Sequence, residues 1–89
     1  MSVLLVAFEL ARPGRNSDAV IARIKEYGHW ARVNASTYLV CTDRTSIQVR
    51  DWVLQAMTNK DKVYVTVVAH EAAWFGHPDL FSNWVRQHQ

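Results

Sequence analysis

The chain has 89 residues, which is enough for one domain and too few for two, and its 49% hydrophobic content predicts a folded protein. A formal net charge of +2 is too small to identify a nucleic-acid or membrane partner by itself. The single cysteine excludes an internal disulfide and favours the cytoplasm, and no apolar run approaches the roughly 20 residues of a membrane-spanning helix, so no membrane partner is expected.

The first predicted strand covers residues 1–10 and is apolar on both faces, which is the pattern of a central strand covered on both sides. Residues 12–15, Arg-Pro-Gly-Arg, predict a loop because proline and glycine interrupt regular structure. A first helix is then expected, with its N-cap at Asn16 or Ser17 and its C-terminal glycine at Gly28.

Two strands, a helix and a fourth strand follow. The strands are predicted near residues 29–34 and 36–42, with a short turn between them. The segment Thr45-Ser46-Ile47-Gln48 matches a capping box, so a second helix should run from there to about Met57. Alternating residues from Val63 onward predict the fourth strand.

The order β-α-β-β-α-β predicts an α+β fold of the ferredoxin-like type, a four-stranded antiparallel sheet with two helices on one face. Residues 1–70 would form this core and residues 71–89 a C-terminal tail of the same domain. Because the first and fourth strands are apolar on both faces, the second face also needs cover. Either the tail or a second copy of the chain would supply it.

The tail is rich in aromatic residues and is therefore not typical of a linker. It contains Trp74, Phe81 and Trp84, and Pro78 marks the expected first position of a helix. We expect these aromatic side chains to pack on their own protomer or on a partner protomer.

Glu9 is the first candidate functional residue, because a carboxylate at the end of an apolar central strand is costly to desolvate unless it is paired or binds a cation. It could form a salt bridge with Arg12 or Arg15 in the following loop. Alternatively, it could be a ligand for a hard cation such as Mg²⁺, which is typically held by one or two carboxylates and substrate phosphates. The sequence leaves both interpretations open.

A second candidate set would contact phosphates. Arg32 is predicted on a strand, beside a turn that ends in Ser36. With Arg12 and Arg15 it would form a phosphate-binding group if the loop and the turn meet at one edge of the sheet. Trp30 could stack on a nucleobase, although a tryptophan on a strand is more often a core or dimer contact. The histidines have no paired spacing, so no zinc site is expected.

Several short motifs together resemble a known family. They are Val6-Ala7-Phe8-Glu9-Leu10 at the end of the first strand, a basic Pro-Gly loop, Tyr27-Gly28, Arg32-Val33-Asn34-Ala35-Ser36, Ser36-Thr37-Tyr38, Asp61 and a tryptophan-bearing tail. In this order they resemble the CRISPR-associated Cas-two proteins, and most closely the branch often called SinR-like.

The resemblance implies a ferredoxin-like homodimer whose sheets pack face to face. Some Cas-two proteins are described as metal-dependent nucleases, and others as non-catalytic scaffolds that hold DNA for spacer integration. Glu9 matches the family's metal-binding aspartate, Arg15 and Arg32 match its basic residues, and Ser36 matches its turn serine. The glutamate adds a methylene and moves the carboxylate by more than about 1 Å, which weighs against nuclease activity more than against the fold.

The expected function is therefore that of a Cas-two-like homodimer associated with DNA or RNA, with weak Mg²⁺- or Mn²⁺-dependent nuclease activity as a candidate reaction. The alternative is a non-catalytic dimeric adapter or regulator, such as a toxin–antitoxin partner or a phage-borne inhibitor. That protein would bind another protein through its tail.

Overall fold

The computed structural model describes residues 1–12 and 17–89. Two sequence-based predictions, the N-cap at Asn16 and the contacts of Arg15, fall outside the described residues. No helix in the described part of the chain is long and apolar enough to cross a membrane. The elements in chain order are β1 (Ser2–Glu9), α1 (Ser17–Lys25), β2 (Trp30–Asn34), β3 (Thr37–Thr42), α2 (Ser46–Leu54), β4 (Lys62–Val67) and α3 (Asp79–His88).

The four strands form one sheet in the order β2-β3-β1-β4, and every neighbouring pair is antiparallel. This order and the βαββαβ connectivity confirm the predicted ferredoxin-like α+β fold. β1 lies in the interior of the sheet, as its two apolar faces predicted. β2 and β4 are the edge strands.

The main core lies between the sheet and the two helices α1 and α2. The even-numbered positions of β1 point into it, because successive side chains of a strand alternate between the two faces. Fully buried aliphatic side chains of this kind each stabilise the fold by roughly 1.5–3 kcal/mol. The buried members are Leu4, Val6, Phe8, Val20, Ile24, Tyr38, Val40, Val49 and Val53.

The second face of the sheet is covered in part by α3. Phe81 and Val85 of this helix are buried against Val3, Ala31 and Leu39 of the sheet, together with other members of the same cluster. The helix contacts β2, so the cover lies toward that edge of the sheet. On the β4 side of the same face, Tyr64 remains 66% exposed.

The helix boundaries follow from local hydrogen bonding. Thr45 Oγ1 accepts the Gln48 backbone N–H at 3.1 Å, and Gln48 Oε1 accepts the Thr45 backbone N–H at 2.9 Å, so the predicted capping box is present. α2 ends at Leu54 rather than near Met57, because the Met57 N–H donates to the Leu54 carbonyl in a tighter turn. Gly28, after α1, has φ +83°, a value that favours glycine.

Candidate nucleic-acid interface

A cleft of about 490 Å³ lies where the end of β1, the start of α1 and the β2–β3 turn meet. It contains three residues that the sequence singled out, Glu9, Arg32 and Ser36, although they come from different parts of the chain. The fold brings them together because β1 and β2 run in the same direction with β3 between them. We call this the loop cleft. It is lined by Phe8, Glu9, Leu10, Ser17, Ile21, Arg32, Ala35 and Ser36.

The β2–β3 turn is held by hydrogen bonds within the turn and by one bond from β1. Asn34 Oδ1 accepts the Ser36 backbone N–H at 3.0 Å, and the Ser36 carbonyl accepts the Phe8 backbone N–H at 2.9 Å. Arg32 Nε donates to the Asn34 carbonyl at 3.3 Å. Within the described residues the two terminal nitrogens of Arg32 have no hydrogen-bond acceptor. The turn therefore positions a guanidinium group that can still bind an anion.

Glu9 is exposed to solvent rather than desolvated. Its Oε1 lies 3.7 Å from Lys62 Nζ, and the two side chains are 74% and 82% exposed. Lys62 is directly opposite Glu9 in the β1–β4 ladder. The pair therefore forms because of the strand register and not because the two residues are close in sequence. Within the described residues the salt-bridge partner of Glu9 is thus Lys62 and not the predicted Arg12, while Arg15 lies outside them.

The loop that begins after β1 is anchored by Asp61, a residue whose role the sequence did not predict. Asp61 Oδ1 accepts the Ala11 backbone N–H at 2.8 Å, and Oδ2 accepts the Thr58 backbone N–H at 2.8 Å. Hydrogen bonds from Thr58 and Ala11 stabilise the ionised carboxylate and lower the pKa of Asp61. The exposed Arg12 follows directly after this anchor.

The donor set of one chain does not fit a magnesium site by itself. Glu9 is the one carboxylate among the described residues that line the loop cleft, and its salt bridge to Lys62 places an ammonium group beside it. Residues 1–12 and 17–89 contain no group of three or more His, Cys, Asp or Glu side chains arranged to hold a metal ion. A Mg²⁺ or Mn²⁺ site at Glu9 would need further ligands, such as the same residue of a second chain or substrate phosphates.

Trp30 lies near the loop cleft, on the helix-facing side of β2. Its ring centroid is 6.1 Å from that of Tyr38, which is a core residue. Lys25 Nζ, at the end of α1, is 4.6 Å from the centroid of the Trp30 ring. The half-buried indole therefore lies beside both a core ring and a cation.

The aromatic residues of the tail pack within their own chain. Trp74 Nε1 donates to Ser82 Oγ at 2.9 Å, and the Trp74 and Phe81 rings meet edge to face at 6.2 Å. The Trp84 ring stacks on His88 with 4.3 Å between the centroids. In contrast, Phe75 is 98% exposed. Most of these aromatic side chains are thus packed, while Phe75 remains an exposed apolar side chain.

The loop cleft combines three residues that can donate hydrogen bonds to an anion with one carboxylate, that of Glu9. A guanidinium group and two hydroxyl groups, from Arg32, Ser17 and Ser36, line the same depression. Such groups commonly donate hydrogen bonds to phosphate oxygens. Comparison with protein-family models and with curated proteins gives no match to this chain.

Proposed function

We propose that the chain is a Cas-two-like protein that binds DNA or RNA through the phosphate backbone, acting as a homodimer in the cytoplasm. The observation that carries the proposal is the convergence of Arg32, Ser36 and Ser17 in the loop cleft. Those residues lie on β2, on the β2–β3 turn and at the start of α1, so the fold itself brings them together.

The arrangement suits phosphate binding for two reasons. The Arg32 guanidinium is planar and can donate two parallel hydrogen bonds to one phosphate, while its Nε remains bonded to the Asn34 carbonyl. In addition, the negative charge of Glu9 is offset by Lys62, so it opposes an incoming phosphate less than an unpaired carboxylate would. Few cations take part, so we expect modest affinity that falls as salt rises.

The proposed function includes cleavage as a second-ranked activity, which rests on Glu9. Glu9 and Arg32 line the same cleft. Mg²⁺ or Mn²⁺, if bound, would supply Lewis-acid activation of the phosphoryl group. Because one chain offers a single carboxylate there, we rank binding without cleavage above nuclease activity.

A second candidate function is protein binding through the tail, as in a dimeric adapter or regulator. It is favoured by two exposed apolar side chains close together in the chain, Phe75 at 98% and Leu80 at 83% exposure. Exposed apolar groups of this size, when they form a patch, mark interaction sites. This function would not depend on Arg32.

The test is a comparison of Arg32→Ala with Arg50→Ala by fluorescence anisotropy, using labelled DNA and RNA over a series of salt concentrations. Arg50 is an exposed arginine of α2 that pairs with Asp51 outside the loop cleft, so its variant removes the same charge. We expect Arg32→Ala to weaken binding and to reduce the slope of log K against log salt by about 1. Equal effects of the two substitutions, or no binding by the unmodified protein at low salt, would contradict the proposal.

A further inference from the structure

The side of α1 that borders the loop cleft leads toward Trp30. Ser17, Ile21 and Lys25 are spaced four residues apart and therefore lie on one side of α1. The first two line the loop cleft, and Lys25 lies one turn further along the same side. The side of the helix that borders the cleft thus ends in a cation.

On β2, Trp30 and Arg32 lie on the side of the strand that faces the helices. They are opposite the core residues Val40 and Tyr38 in the ladder, so both side chains are on the helix-facing side of the sheet. α1 runs back from β1 to the start of β2, which places Lys25 beside Trp30 and the start of the helix beside the turn. The contact between Lys25 Nζ and the Trp30 ring, 4.6 Å to the centroid, agrees with this geometry.

From this juxtaposition we infer that Trp30 is a base-stacking position for a single-stranded polynucleotide whose phosphate is bound at Arg32. The inference rests on the proposed function and extends it to a class of nucleic acid. Alternate residues of a strand are about 7 Å apart, a distance that allows one nucleotide to reach both side chains. An incoming base would displace the Lys25 ammonium from the ring, and the ammonium would remain close enough to pair with a neighbouring phosphate.

Single strands are favoured because an unpaired base exposes its ring face, whereas the bases of a duplex are stacked on each other. Stacking on one aromatic side chain changes affinity by about 5- to 150-fold and tolerates any base. Because stacking on the Trp30 ring does not distinguish the bases, the ligand is specified by its single-stranded state and not by its sequence. DNA and RNA share this chemistry, and oligo-dT and oligo-U probes distinguish them.

The experiment measures binding of labelled oligo-dT, oligo-U and a duplex of equal length to the unmodified protein, Trp30→Leu and Trp30→Phe. We expect Trp30→Leu to weaken single-strand binding about tenfold while duplex binding changes less than twofold. Trp30→Phe, which keeps an aromatic ring, should stay within about threefold of the unmodified protein. Trp52→Leu is the matched control, because Trp52 is also half-buried under a cation, Arg23 at 4.1 Å, but lies on α2 and not beside Arg32 on β2.

A second measurement tests the stacking position even if Trp30→Leu fails to fold. Single-stranded oligonucleotide should quench part of the tryptophan fluorescence of the unmodified protein, and Trp30→Phe should lose that part. The inference would be overturned if quenching persists in Trp30→Phe. It would also be overturned if Trp30→Leu and Trp52→Leu lose the same affinity for single strands. If Arg32→Ala weakens binding but neither Trp30 variant does, the stacking position is wrong and the phosphate-binding function stands. If the unmodified protein binds no polynucleotide, both are wrong.

Discussion

Asp61 Oδ1 accepts the backbone N–H of Ala11 at 2.8 Å, and this bond joins the start of β4 to the loop that follows β1. The other carboxylate oxygen accepts the Thr58 N–H at 2.8 Å, so one side chain ties two loops together. The same end of the sheet carries the Glu9–Lys62 pair. The position of Ala11, directly before Arg12, therefore depends on a residue that does not line the cleft.

The first prediction concerns Asp61→Asn. An asparagine can accept one of the two N–H groups with its oxygen, but its NH₂ group would face the other donor. We expect a lower melting temperature and weaker nucleic-acid binding, because the loop bearing Arg12 loses its anchor. Thermal unfolding and anisotropy on the same samples would test both effects.

The pH dependence provides the control for this prediction. The pKa of Asp61 is lowered in the folded protein, so its contribution to stability is fully present above the ordinary aspartate pKa of about 4 and is lost as pH falls below it. The stability difference between the unmodified protein and Asp61→Asn should therefore shrink from pH 5 to pH 2. Asp43→Asn, at an exposed aspartate with no hydrogen bond to its carboxylate among the described residues, removes the same charge and should leave the melting temperature nearly unchanged. A constant Asp61→Asn difference would contradict the anchoring role.

The second prediction concerns Glu9→Gln. Both partners of the Glu9–Lys62 pair are largely exposed, and exposed pairs contribute about 1 kcal/mol or less. We expect the free energy of unfolding to change by no more than that, in contrast to the cost expected for a desolvated carboxylate. Chemical denaturation of the two proteins measures it.

The same variant tests the metal mechanism. If a divalent cation bound at Glu9 supports cleavage, Glu9→Gln should abolish Mg²⁺- or Mn²⁺-dependent nuclease activity, since the amide lacks the charge that the ion requires. Lys62→Ala is the control, because it breaks the same salt bridge but keeps the carboxylate. Cleavage that survives in Glu9→Gln or in EDTA would exclude this mechanism.

The fold could be predicted from the sequence because its signals are local. The two apolar faces of β1 and the Thr45–Gln48 capping box each lie within a few residues, and both predictions are confirmed. The salt bridge of Glu9 and the anchor at Asp61 could not be predicted, since both depend on how distant segments meet. Arg32 and Ser36 were identified from adjacent residues, but their shared cleft with Ser17 required the fold.

The third prediction compares two phenylalanines of the tail. Phe81 is 8% exposed in the cluster between α3 and the sheet, whereas Phe75 is 98% exposed. Phe81→Ala should lower the free energy of unfolding by about 3–5 kcal/mol, the usual cost of removing a buried aromatic side chain. Phe75→Ala should leave it nearly unchanged. Similar effects of the two substitutions would show that α3 does not pack on the sheet in solution.

The last prediction concerns self-association. The β4 side of the second face is incompletely covered, with Tyr64 66% exposed, and a second copy of the chain would cover it. At micromolar concentration we expect a homodimer that buries at least roughly 1,200 Å² in total, with a mass by light scattering about twice the 10.2 kDa of one chain. Tyr64→Glu should give the monomer mass, because each interface would then bury two unpaired carboxylates. Ile47→Glu, at a similarly exposed position of α2 outside this face, should remain dimeric. A monomeric unmodified protein would contradict the prediction, and a dimer that persists in Tyr64→Glu would place the interface elsewhere.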